Sequence, residues 1–189
     1  HYRTHKQSDG FSGSNPGVLI NDAALYRLPW AQTFIRVVST PPIGAAREGL
    51  RQYRETVVGK ASGDVTQLAC DVGTLERIAG ATNALDEMEA LLYRNFDRMM
   101  AAVEAGDPVP REERALYRYQ ASLVIEKSMA VIDSLFSSAG GASVFSGSEI
   151  QQRFLDIHTA RAHVANNPTA FARNLRGLGV GAENGDYFI

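Results

Sequence analysis

From Asp64 to about Ala105 the chain carries no proline, and its apolar residues return with the period of a helix. Val65, Leu68, Ala69, Val72, Leu75, Ile78 and Ala79 are followed by Met88, Leu91, Leu92, Phe96, Met99, Met100 and Val103. Spacings of three, four and seven place them on one stripe. Gly73 and Gly80 weaken the pattern only mildly. Unbroken, such a helix is about 60 Å long at 1.5 Å per residue. A helix of that length must lie along partners, which means a bundle.

The neighbouring segments supply the partners. "WAQTFIRVVS" (30–39) reads as a helix closed by Pro41-Pro42, since proline cannot continue a helix and restricts the residue before it. Pro42 suits the first turn of the next helix, "IGAAREGLRQYRETVVGK". "GDPVPREER" connects to a helix predicted over Arg111–Ser138. That helix is polar first, then apolar on nearly every side through Leu123, Val124, Ile125, Met129, Val131, Ile132, Leu135 and Phe136. Such a helix belongs at the centre of a bundle or in a subunit interface. The glycines of "SSAGGAS" stop it.

Ser148 opens the last main helix, and Ser148 with Gln151 matches a capping box. Ile150, Phe154, Ile157 and Val164 give its buried face, and Asn166-Asn167-Pro168 ends it. Asn167 then caps a short helix that starts at Pro168. Residues 1–25 read as loop and strand, because "SDGFSGSNPG" is dense in turn formers. The expected architecture is all-α, a four-helix up-down bundle with a short non-helical N-terminal arm. No internal repeat or low-complexity tract interrupts it.

A chain of 189 residues is ample for one hydrophobic core. Its net charge of −2 comes from interspersed basic and acidic residues, which argues against a nucleic-acid tract or an anionic-membrane surface. No apolar run approaches the roughly 20 residues that a membrane helix needs. The single cysteine, Cys70, allows no intrachain disulfide and reads as core, so a reducing, cytoplasmic setting fits. The polar "HYRTHKQSDG" is no signal peptide. It also lacks an initial Met, as expected either of a processed chain or of one piece of something longer.

The candidates for chemistry are few. His158 and His163 are five apart, about 140° around a helix, so they cannot chelate one metal, and no metal site is expected. His163 falls in the last turn of its helix. There it is either an end residue bonding free carbonyls or an acid, base or hydrogen-bond donor. The loop "SSAGGASVFSGS" is either a helix stop or a bend whose bare amides approach a phosphate or a ring. Trp30 and Tyr26 pack in the core or line a pocket for a flat ligand. No Ser-His-Asp order, P-loop or Rossmann fingerprint is present.

A long helix, an apolar helix, a Gly-Gly loop and then a helix with "RFLD" resemble the C-terminal helical domain of the acyl-CoA dehydrogenase fold. The stretch "SSAGGASVFSGSEIQQRFLDIHTARAHVANNP" is similar to the two-component flavin-dependent monooxygenases built on that fold, which hydroxylate phenols. "YRTHKQSDG" and "ALYRLPW" join the match, which covers nearly the whole chain and is most specific over 137–168. The resemblance implies that residues 1–29 are an arm ending a missing middle β-domain and that 30–189 are the C-terminal bundle domain. It places Gly140, Gly141 and Ser143 in a loop that approaches the flavin, often across a subunit boundary. Asp156 matches the Asp of the family's Arg-Asp pair. Leu155 stands where the Arg is usual, with Arg153 as the candidate substitute. The pattern Ala-Arg-Ala-His puts His163 where the oxygenase branch has an active-site histidine.

The implied activity is hydroxylation of a phenolic or aromatic substrate through a flavin C4a-hydroperoxide, with oxygen as co-substrate. Reduced FMN (or FAD) would come from a separate flavin reductase. His163 would hydrogen-bond or deprotonate the phenol, the protein would form a homo-oligomer, a tetramer in this fold, and the fragment alone would be inactive. The dehydrogenase branch often carries a catalytic Glu beyond this helix, but "VANNPTAFARN" has no carboxylate. Two alternatives remain at this point: an acyl-CoA dehydrogenase C-terminal domain, and a non-catalytic helical oligomerisation module.

Overall fold

Prolines and glycines set most of the helix boundaries in the structure, a computed structural model that describes residues 6–60, 71–181 and 186. Helix α1 spans Gln7–Ser12, α2 Trp30–Ser39, α3 Pro41–Lys60, α4 Val72–Glu104, α5 Arg111–Ser138, α6 Glu149–Ala160 and α7 Pro168–Gly179. Short 3-10 turns lie at Ala24–Arg27, Gly141–Val144 and Val164–Asn166. No strand occurs among the described residues.

Helices α3 to α6 form the four-helix bundle. Its core joins Ile43, Leu50 and Tyr53 of α3, Leu85 and Met88 of α4, Ile125, Ile132 and Leu135 of α5, and Ile150 and Ile157 of α6. As its apolar character predicts, α5 is central, packing on α2, α3, α4, α6 and α7. Helix α3 approaches it closely at Gly49, where a Cβ would lie 2.5 Å from Ile132 Cδ1. A second cluster of Leu28, Met99, Val103, Val109 and Tyr117 ties the arm to the end of α4. There Arg27 donates to the Val103 carbonyl from Nε at 3.3 Å and from Nη2 at 2.9 Å.

Several expectations need correction. The arm is not free of helix, because Gln7–Ser12 forms a turn and a half, closed by Gly13 with a left-handed φ of 69°. Residues 64–70, including Cys70 and the start of the long periodic segment, lie outside the described residues. Helix α4 is described from Val72, with Asp71 capping the Thr74 amide. Its first turn faces solvent, with Val72 64% and Leu75 42% exposed. The capping box does not form: Ser148 makes no side-chain cap bond, and Gln151 donates instead to the Val144 carbonyl at 3.0 Å.

The largest change is at the end of α6. The helix stops at Ala160, so Val164 is exposed rather than buried and His163 lies beyond the helix. The cause is Asn166, fully buried, whose Nδ2 donates to the Ala160 carbonyl at 2.8 Å. That bond and the His163 amide satisfy a carbonyl that a continuing helix would otherwise use. Downstream the expectation holds: Asn167 Oδ1 accepts from the Thr169 amide and Pro168 opens α7.

Candidate active site

His163 has extended backbone, φ −71° and ψ 133°, and caps the short turn Val164–Asn166. Its Nδ1 accepts from the Ala165 amide at 3.1 Å. Below this turn, Ala165 packs with Ile35 and Ala121. The imidazole therefore sits on a turn anchored from beneath, not at the negative end of a helix dipole as expected from the sequence.

His163 lines a cavity of about 440 Å³. Its apolar wall includes Phe34, Ile35, Val38 and Phe171, and its polar groups include Arg118, Asn174 and Asp186. The wall thus joins α2, α5 and α7 to the segment after α6. Tyr26 is 50% exposed, whereas Trp30 stacks on Phe34 at 4.7 Å and meets Phe11 edge-on at 5.2 Å.

Arg118 is the residue that sequence reading missed. Only 2% exposed, it lays its guanidinium 3.4 Å over the Phe171 ring and donates from Nη1 to the Ala165 carbonyl at 3.3 Å. Burial pushes it down to about 10; the Asp186 carboxylate opposes that shift and the Arg36 charge adds to it. Burial also lowers Arg36, on α2, to about 10. Both guanidinium groups are cationic at neutral pH. Asp186 accepts from Asn174 Nδ2 at 3.2 Å. A signal for Arg118 exists in the sequence, since it falls on the α5 stripe that carries Ala115, Ala121, Ser122 and Ile125.

The glycine loop is built differently. Gly140 has φ 89° and ψ 177°, a region open essentially only to glycine. Ser143 is buried, and its hydroxyl donates to the Gly140 carbonyl at 2.6 Å. That hydroxyl closes the bend rather than facing outward. A Cβ on Gly141 would meet no atom within 4 Å, so this face of the loop is open.

The structure does not bring the loop and His163 together within one chain. They lie at opposite ends of α6, whose 12 residues span about 18 Å at the helical rise. The other motif residues are structural. Arg153 pairs with Asp156 at 3.2 Å, the substitution expected from the position of Leu155, which is 49% exposed. His158 packs on Phe154 and pairs through Nε2 with Asp133 at 2.7 Å. Among the described residues, no group of three His, Cys, Asp or Glu is placed to hold a metal ion. No helix among them is long and apolar enough to cross a membrane.

The family model "Acyl-CoA dehydrogenase, C-terminal domain" matches residues 36–168. The chain belongs to this family. Within it, the chain is similar to the flavin-dependent monooxygenase oxygenase subunit HsaA of Rhodococcus jostii (strain RHA1), at 29% identity over 162 residues, covering 81% of this chain and 41% of that protein. It is also similar to the p-hydroxyphenylacetate 3-hydroxylase oxygenase component of Acinetobacter baumannii, at 25% identity over 86% of this chain and 39% of that protein. The crystal structure of the HsaA monooxygenase from M. tuberculosis superposes with a TM-score of 0.86 at 26% identity, covering 96% of this chain and 46% of that one. The chain thus spans about two fifths of the length of these curated family relatives.

Proposed function

We propose that this chain is the C-terminal part of the oxygenase component of a reduced-flavin-dependent monooxygenase that hydroxylates a phenolic or aromatic substrate. The observation that carries the reading is His163 on a cavity walled by Phe34 and Phe171. An apolar cleft with few convergent polar groups is what a small aromatic ligand needs. The names of the relatives supply the reaction class.

In this reading, residues 1–29 end a middle β-domain and 30–189 form the bundle domain. Reduced FMN or FAD, delivered by a separate reductase, supplies when bound the two electrons that let one oxygen atom enter the ring while the other leaves as water. The open face at Gly141 and the bend at Gly140, held by Ser143, fit the approach of a flat ring system. Because α6 separates this loop from His163, the two serve different flavins in an assembly of several copies, which favours the tetramer. Phe34, Ile35, Val38 and Phe171 form the apolar face that would pack on the substrate ring. His163 contacts the substrate oxygen. Asp186, held by Asn174 and attracted to Arg118, acts as a counter-ion and not as the base of a dehydrogenase. A cytoplasmic location is part of this reading, and the lone cysteine is compatible with it.

The test uses the full-length flavoprotein with reduced flavin, oxygen and candidate phenols. His163→Ala is expected to fold, to lose about a hundredfold or more in hydroxylation and to release hydrogen peroxide instead, the low end of the usual scale for removing a positioned proton-transfer group. Full hydroxylation yield from the folded variant would overturn the role of His163. Gly141→Ala is expected to weaken flavin binding at unchanged thermal stability.

A further inference from the structure

Both polar groups of Ala165 are committed, one to each side of the cavity wall. Its carbonyl accepts from Arg118 Nη1 at 3.3 Å, and its amide donates to His163 Nδ1 at 3.1 Å. Arg118 is itself fixed by its stacking on Phe171 and by burial. On the other flank, Asn166 holds the turn to the Ala160 carbonyl at 2.8 Å. A ring nitrogen that accepts an amide hydrogen bond carries no proton. In the neutral imidazole the proton is therefore on Nε2, the nitrogen left for a ligand.

We propose that Arg118 is a positioning residue that acts through Ala165 to hold His163 as its Nε2–H tautomer, so that His163 donates a hydrogen bond to the substrate oxygen and does not remove its proton. The proposal rests on the function proposed above and narrows its substrate class to phenols bound as phenolates. A donor of this kind favours an oxygen that bears negative charge. The buried Arg118 charge on the same cavity favours it too, and Asp186 opposes it in part. The phenol proton leaves to solvent, and the ring enters the reaction already electron-rich.

The test has two parts, both on the full-length protein. The first binds 4-nitrophenol without added flavin, below the pH at which the free phenol is half-ionised. The phenolate absorption band reports ionisation, and calorimetry in buffers of differing ionisation enthalpy counts protons. Donation from Nε2 predicts a rise of about tenfold or more in the ionised fraction relative to free probe. It also predicts release of the phenol proton to buffer. A full phenolate band with no proton released would mean that His163 takes the proton, and would overturn the proposal. So would absence of the band on the bound probe.

The second part compares variants in hydroxylation. His163→Gln keeps an N–H near the Nε2 position but cannot act as a base. It is expected to retain a several-fold higher hydroxylation yield than His163→Ala. Equal loss in both would overturn donation while leaving His163 in the site, and full yield in both would overturn any role of His163 and the proposal with it. Failure of the wild type to hydroxylate any phenol would instead overturn the underlying function. Arg118→Lys keeps the charge but loses the planar fork. It is expected to cut the bound phenolate fraction several-fold while 4-nitrophenol still binds. An unchanged fraction would limit Arg118 to a charge effect and would overturn its positioning role. If Arg118→Lys fails to fold, the His163→Gln comparison still decides whether His163 donates.

Discussion

The guanidinium carbon of Arg118 lies 3.4 Å from the centre of the Phe171 ring, which joins α5 to α7 beneath the candidate site. A cation this close to a desolvated aromatic face is worth about 1–2 kcal/mol. Phe171→Leu removes the face and part of the volume, and is expected to lower stability by about 2–3 kcal/mol. Phe171→Tyr keeps the ring and is expected to cost much less. Urea unfolding of the two variants checks the difference.

Gly49 and Ile132 are expected to be strongly coupled. A Cβ at Gly49 would stand 2.5 Å from Ile132 Cδ1, and Ile132 is fully buried. Gly49→Ala gains about 1 kcal/mol of helix propensity but loses about 1–3 kcal/mol to overpacking. Ile132→Val deletes that methyl group and alone costs about 0.5–1.5 kcal/mol. The double variant is expected to be more stable than the sum of the singles by at least about 0.5 kcal/mol, read from a double-mutant cycle. Simple additivity would show that the close approach is not felt.

The two loop glycines are expected to respond differently to the same change. Gly140→Ala forces a Cβ onto φ 89°, ψ 177° and is expected to cost about 1–3 kcal/mol. Gly141→Ala enters open space and is expected to stay within about 0.5 kcal/mol of wild type. Thermal melts of both variants distinguish a strained bend from an unspecific requirement for small residues.

Acid titration is expected to expose the role of Glu48. The hydrogen bond from Arg51 holds this carboxyl down at about 2, from the ordinary 4.5. A carboxyl lowered in the folded state binds its proton more readily when unfolded. Its contribution is therefore complete above the ordinary value and is lost as pH falls from there towards 2. Wild type is expected to melt above Glu48→Gln at pH 6, with the gap closing by pH 2. A gap that is constant across the range would remove the pair from the acid response.

The bundle was legible where local chemistry sets boundaries. Helices α2 and α5 have the bounds read from the sequence because Pro41-Pro42, Pro110 and the Gly-Gly bend punctuate the chain there. The end of α6 was not legible. Nothing in "HTARAHV" breaks a helix, and termination at Ala160 depends on Asn166, which folds back into a buried position. Similarly, Gln151 was free to pair with Ser148 locally but is taken by the Val144 carbonyl. His163 could be singled out by its surrounding motif, whereas for Arg118 the sequence offers only its place on the α5 stripe. Its burial depends on Phe171 and Ala165, far along the chain, and a sequence shows a lone arginine as surface by default.

Helix α6 acts as a ruler between the glycine bend and the imidazole. Each residue added to or removed from Glu149–Ala160 would shift the two ends by about 1.5 Å and rotate one against the other by about 100°. Exposed positions such as Leu155 can change freely in kind. The number of residues in this stretch cannot change without misaligning one end, so insertions and deletions among homologues should collect in the connectors and spare this segment.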